Sequence, residues 1–216
     1  MTLTEPMQPL MALGQGPDDI ATAILHRAQS LSAVLTLVAA RGDRVTCAAT
    51  IIRDALAAGH RLLACGNGGS AAEAQHLVGE FVGRFLLDRE PWPAMALTTD
   101  SSVMTSIAND YGFDAVFARQ ITAFGRAGDV LVAFSTSGES PNVLNAAREA
   151  RRCGLRVIAL TGQEPTTLGQ LADVELAVPE RETPLVQEVH GVLVHLISEI
   201  VESSLVGMEM QRNRHR

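Results

Sequence analysis

No stretch of this sequence approaches the ~18 uninterrupted apolar residues that a membrane-spanning helix needs. The longest apolar neighbourhood, Leu185–Leu205, is broken by Gln187, Glu188, His190, His195, Glu199 and Glu202, so no membrane partner is expected. The first residues hold no basic segment followed by an apolar run, and a secretory leader is not expected there. Cysteine is scarce. Cys47, Cys65 and Cys153 are odd in number and form no CxxC pair, which points to reduced thiols in a cytoplasmic protein. The plain reading of each is a small apolar residue in or near the core. Basic residues do not dominate: the formal net charge is −7, so the totals suggest no face for nucleic acid. The one basic cluster, Arg212, Arg214 and Arg216, reads as a solvated chain end. What remains is an ordinary globular composition, 47% apolar and 19% charged over 216 residues. That is enough for one sizeable core and short for two.

Residues 1–16 combine prolines and glycines with no period and read as an irregular arm. From about Asp18 the spacing turns helical, with Ile20, Ile24, Ala28, Leu31, Leu35 and Val38 recurring. A second helix is expected from about Arg44 to Ala58. The period then changes to short apolar runs: Arg61–Gly66, Ala94–Thr98, Val130–Phe134, Arg156–Leu160 and, more alternating, Val174–Val178. Helical segments separate them, near 70–86, 101–109, 114–125 and 140–153, and a long helix from about Pro184 to Leu205 closes the chain. Thr183 suits its N-cap and Pro184 its first position. Short apolar runs alternating with helices describe βαβ units, a parallel sheet covered on both faces. The expected fold is therefore α/β, a three-layer αβα sandwich around a five-stranded parallel sheet, with an N-terminal helical pair and a long C-terminal helix. Residues 17–206 form the domain and 207–216 a tail. Ligands of such sheets bind beyond the carboxyl ends of the strands, which directs attention to the segments after Ala64, Leu97, Phe134 and Leu160.

The first of these reads Cys65-Gly66-Asn67-Gly68-Gly69-Ser70-Ala71 and opens a helix. Glycines allow close backbone approach, and the N–H groups at a helix start attract anions. The spacing also fits a GxGxxA dinucleotide fingerprint. The acidic partner of that motif belongs about 20 residues on, and the candidate, Asp100, lies well past it. A sugar-phosphate contact and a plain structural turn are the other readings. After the third strand comes Ser135-Thr136-Ser137-Gly138-Glu139-Ser140-Pro141-Asn142. Four hydroxyls and a glycine at a strand-to-helix turn can cradle a phosphate without lysine; ordinary capping by Ser137 or Ser140 is the alternative. It is no Walker loop, since no Gly-Lys-Ser/Thr follows. On the helix after the glycine turn His76 and Glu80 are i and i+4, with Arg84 a further turn along. On the last helix Gln187 and His195 are eight apart, about 80° around the axis. Such helices meeting can gather His, Glu, Gln and His around a metal. An i,i+4 surface pair and a satisfied core histidine are the plainer readings, and His190 competes with His195.

Together these segments resemble the SIS-domain family, in particular the phosphoheptose isomerases. The matching blocks are Cys65–Ser70 with His76 and Glu80, Ala108–Phe113, Gly128-Asp129-Val130 leading into Ser135–Gly138, and Thr183-Pro184 with Gln187, Glu188 and His195. The resemblance covers about residues 20–206. The resemblance implies one zinc ion per subunit held by His76, Glu80, Gln187 and His195. It implies a phosphate held by Ser135, Thr136, Ser137 and Ser140, and further substrate contacts from Asn67, Gly68, Gly69, Ser70, Glu80, Arg84, Asn109, Asp110 and Gln187. It implies interconversion of sedoheptulose 7-phosphate and D-glycero-D-manno-heptose 7-phosphate through an enediol, for ADP-heptose and lipopolysaccharide core synthesis, with Glu80 as base and His195 as acid. It also implies a cytoplasmic homotetramer with sites formed at subunit contacts. A second SIS-domain resemblance, to the non-enzymatic adaptor that binds the replication initiator DnaA, shares the glycine turn and the Ala108–Asp110 and Gln187-Glu188 blocks. That pattern lacks counterparts of Glu80 and His195.

Overall fold

Five apolar runs become five parallel strands in a computed structural model that describes residues 16–214. The expected arm lies outside the described residues except for Gly16, as do the side chains of Arg212, Arg214 and Arg216. In chain order the elements are α1 (Pro17–Ala39), α2 (Gly42–Ala57), β1 (Leu62–Cys65), α3 (Gly69–Val82), β2 (Ala94–Ala96) and α4 (Ser101–Tyr111). Then follow α5 (Val116–Phe124), β3 (Val130–Ser135), α6 (Pro141–Arg152), β4 (Arg156–Thr161), α7 (Thr167–Leu171), β5 (Val174–Ala177) and α8 (Thr183–Arg214). The sheet order is β2-β1-β3-β4-β5. Leu62 of β1 lies opposite Ala94 on one side and Val130 on the other. Every residue of β1 and β3 is buried, because helices cover both faces; hence these strands read as unbroken apolar runs.

Two cores result, as a three-layer sandwich requires. One packs α2, α3 and α8 on Leu62, Ala64, Val130, Val132 and Phe134. The other packs α5 and α6 on Leu63, Cys65, Leu131 and Ala133, with α4 and α7 at its margin. The sheet order also positions the site. After β1 the chain crosses to one side of the sheet, and after β3 to the other. Their carboxyl ends are adjacent, and a crevice opens where the connections diverge.

Four local expectations are corrected. Helix α3 stops at Val82 instead of reaching 86, so Arg84 stands beyond its end. Arg89 donates to the carbonyls of Glu80 and Phe81 there, replacing the helical partners those groups lack. Helix α7 was not foreseen; at five residues it is too short to show a period. Helix α8 passes Leu205 and continues to Arg214, so residues 207–214 extend the helix. Cys47 is exposed, whereas Cys65 is buried and its burial pushes the thiol up to about 12. By length and composition Thr183–Met208 qualifies as a spanning segment, yet Val189, Leu193, Ile197 and Val201 lie in the core, and Glu202 on the same helix is buried in an ion pair.

Candidate active site

The glycine turn and the serine loop occupy the two sides of the crevice, and a pair of asparagines ties them together. Asn67 Nδ2 donates to Asn142 Oδ1 at 2.9 Å, and Asn142 Nδ2 returns a bond to Asn67 Oδ1 at 2.8 Å. Asn142 is buried, and its Oδ1 also accepts the Val143 N–H. Sequence reasoning missed this residue, although it directly follows Pro141 in the helix start. Gly68, at φ +55°, caps α3, a conformation open mainly to glycine. A Cβ on Gly69 would stand 2.5 Å from the Gln187 side-chain amide, so α8 lays Gln187 directly on the turn. Ser70, next along, is buried.

In the serine loop the hydroxyls face one another. Ser135 Oγ lies 3.1 Å from Ser140 Oγ and 3.5 Å from Ser137 Oγ. Ser140 is the N-cap of α6, yet its side chain makes no capping bond; Asn142 takes the Val143 N–H instead. Ser135 accepts the Gly138 N–H and Ser137 the Glu139 N–H, and Thr136 is half-buried between them. The loop's one carboxylate, Glu139, is turned onto α7, where it accepts the Thr167 hydroxyl and N–H; these bonds lower its pKa. Hydroxyls and helix-start N–H groups are thus left to meet an anion. The chain has no lysine at all.

The second cluster joins α3 to α8. His76 Nε2 lies 3.2 Å from Glu80 Oε1 and 3.1 Å from His195 Nε2, and one ligand atom from each residue lies within 4.8 Å of the others. Two ring nitrogens this close can share only one proton. Two nitrogens bound tetrahedrally to zinc at ~2.0 Å stand ~3.3 Å apart, so the donor types and the two separations from His76 fit a divalent ion. Glu73 Oε2 lies 3.7 Å from the other ring nitrogen of His76, on that ring's far side but beyond hydrogen-bonding distance. Sequence reasoning missed Glu73; its i,i+3 spacing to His76 is the signal that could have found it. Phe85 packs against the His195 ring, with centroids 5.5 Å apart. His190 does not compete for this site. It is fully buried, its Nε2 lies 3.1 Å from the Thr161 carbonyl, and burial pulls its pKa down to about 4 against the small upward effect of that bond.

The SIS domain family model matches residues 27–162. A phosphoheptose isomerase of Bradyrhizobium sp. strain BTAi1 is 46% identical over 90% of this chain and 98% of its own length. Another from Bradyrhizobium sp. strain ORS 278 is 52% identical over 73% of this chain and 80% of its own. The solved structure of the phosphoheptose isomerase GmhA from Neisseria gonorrhoeae superposes with a TM-score of 0.78 at 39% identity, covering 86% of this chain and 98% of that one. The chain belongs to the phosphoheptose isomerase family.

Within this phosphoheptose isomerase fold the expected site residues divide into three groups. His76, Glu80 and His195 come together. Gln187, Asn67, Gly68, Gly69 and Ser70 meet at the turn, and Ser135, Thr136, Ser137 and Ser140 form the loop. The Gln187 side chain lies against Gly69. Three residues stand apart. Arg84 is exposed past the end of α3. Asn109 and Asp110 sit exposed on the last turn of α4, where Asn109 Nδ2 donates to Asp110 Oδ1 at 2.8 Å. Asp100, the residue weighed against a dinucleotide, caps α4 by accepting the Val103 N–H.

Proposed function

We propose that this protein is an aldose–ketose isomerase that converts sedoheptulose 7-phosphate to D-glycero-D-manno-heptose 7-phosphate through an enediol, as a step toward ADP-heptose and the lipopolysaccharide core. The observation that carries the reading is the convergence of His76, Glu80 and His195 beside a turn and loop built for an anion. The adaptor reading has no use for the two residues that complete this cluster.

Ser135, Thr136, Ser137 and Ser140, with the first N–H groups of α6, hold the 7-phosphate. Asn67, Gly68, Gly69, Ser70 and Gln187 position the reacting end, and Arg84, Asn109 and Asp110 contribute to the sugar. The reaction moves a proton from C1 to C2. Glu80 takes a C1 proton and returns it to C2, while His195 gives a proton to the C2 oxygen as that carbonyl becomes a hydroxyl and takes back the C1 hydroxyl proton as the aldehyde forms. His76, Glu80, His195 and Gln187 would hold one zinc ion per subunit, which when bound would supply positive charge toward the developing oxyanion.

A homotetramer accounts for the apolar surface the single chain leaves open. Ile20, Ile24, Leu25 and Leu37 on α1 are exposed, as are Tyr111 and Phe113 beside Asn109 and Asp110. Burial of the first set in an assembly gives α1 its missing packing, and burial of the second brings α4 toward a neighbour's crevice. The net charge of −7 agrees with a cytoplasmic enzyme that binds neither nucleic acid nor membrane.

Glu80→Gln tests the assignment at nearly constant volume. Turnover of sedoheptulose 7-phosphate is expected to fall ~100-fold or more, the usual worth of a positioned base, with KM within a few-fold. Turnover within a few-fold of wild type would remove Glu80 from that role.

A further inference from the structure

An ion pair with both side chains buried lies next to the His76–Glu80–His195 cluster and takes no part in it. Arg89 and Glu202 are paired at 3.0 Å with side chains only 3% and 2% exposed. Breaking such a pair leaves an uncompensated buried charge, and replacing it by apolar residues is often neutral or better for stability. Its geometry is directional. Glu202 sits seven residues after His195 on α8, two turns along the same face. One of its oxygens accepts the Phe85 N–H and Arg89 Nε, both at 3.0 Å. The other accepts the N–H groups of Leu86 at 2.7 Å and Leu87 at 2.9 Å. Arg89 spends its remaining donors on the end of α3 and, through Nη1, on the carbonyl of Glu90 at 3.0 Å. Nη2 bonds the carbonyl of Glu80 itself at 2.7 Å, and Nη1 bonds that of Phe81 at 3.1 Å. The guanidinium carbon lies over the Trp92 ring, 3.5 Å from its centre, a further contact that holds the side chain in place.

We propose that the Arg89–Glu202 pair is a positioning device that sets Glu80 and His76 of α3 against His195 of α8. The pair runs from the backbone of Glu80 through Arg89 to the α8 face that carries His195. The bonds of Glu202 to residues 85–87 also hold Phe85 on the His195 ring. A planar fork with five donors can serve a carboxylate and two carbonyls at once, whereas an ammonium cannot hold that geometry. Neither residue touches substrate in this account. Their effect is on the spacing of the three side chains, and the inference rests on the reading of those three as the metal and proton-transfer site.

The experiment measures zinc affinity by competition with a chromophoric chelator, and kcat and KM for sedoheptulose 7-phosphate. The proteins are the wild type, Arg89→Lys, Glu202→Gln and a control, Leu176→Ala, a core truncation in edge strand β5. Supporting residues around a metal site are worth ~10–100-fold in affinity or activity. Arg89→Lys and Glu202→Gln are expected to lose zinc affinity and kcat by that factor with KM within a few-fold, since the serine loop is untouched. Leu176→Ala lowers the unfolding temperature and leaves zinc affinity unchanged. Wild-type affinity and kcat in both pair variants would overturn the proposal, as would losses no larger than those of the control. Should the single variants not fold, the double variant Arg89→Met/Glu202→Leu removes both charges together and is held to the same values. A wild type that binds no zinc defeats the metal reading instead. The pair is then judged on kcat, where a ~10-fold fall at constant KM supports it and an equal kcat overturns it.

Discussion

Ser140 stands at the N-cap of α6 and spends no side-chain bond on capping; Asn142 takes the Val143 N–H instead, and Ser140 turns to Ser135. That exchange supports the phosphate proposal for the loop, because a hydroxyl released from capping is available to a ligand. Ser137 is exposed and faces the same group. Ser137→Ala should weaken binding of the phosphorylated sugar by ~1–3 kcal/mol, the range for a bond to a charged group, with kcat at saturation little changed. Calorimetric titration checks this, and an unchanged affinity would contradict the phosphate role. The sequence made these hydroxyls legible because they are contiguous. It made His76, Glu80 and His195 legible by helical spacing, although their meeting depends on how α3 packs on α8. Sequence reasoning ran the helix on through Arg84 although Gly83, the C-cap of α3, is a stop signal the sequence offered. It missed Asn142 because half of an asparagine pair has no pattern until Asn67 is seen across from it.

At the scale of elements the readable parts were those whose period is imposed by burial. Strands β1 and β3 are buried along their full length, and the five runs pair as a parallel sheet because helices cover both faces. The unreadable parts depend on partners distant in sequence. The end of α3 is set by Arg89 and, through it, by Glu202, more than one hundred residues away. Helix α7 exists to receive Glu139 and to support Gly138, whose carbonyl accepts the Leu168 N–H. The expected apolar face of α1 is present in sequence, but only Val34 of α1 is buried, with Leu31, Leu35 and Val38 partly so. Periodicity reports that a face is apolar; it does not report whether the same chain covers it.

For the whole molecule, the buried His190 links stability to pH. Its folded pKa is pulled from 6.5 to about 4, chiefly by burial. An unfolded chain therefore takes up a proton below about pH 6.5 that the folded chain refuses until about pH 4. Stability from this group is complete above that window and falls as pH drops through it, by up to ~3 kcal/mol. Glu202, whose pKa burial raises but the N–H groups of residues 85–87 and Arg89 lower overall, acts only below the ordinary carboxylate range, ~4.3. Denaturant unfolding between pH 7 and 4.5 should thus show a slope that His190→Gln flattens; an equal slope in both proteins would contradict the assignment.

Purified protein is incubated with sedoheptulose 7-phosphate, with and without a chelator, and the aldose product is followed by NMR. The account predicts formation of D-glycero-D-manno-heptose 7-phosphate that stops with chelator and returns when zinc is restored. No aldose formed with zinc supplied would contradict it.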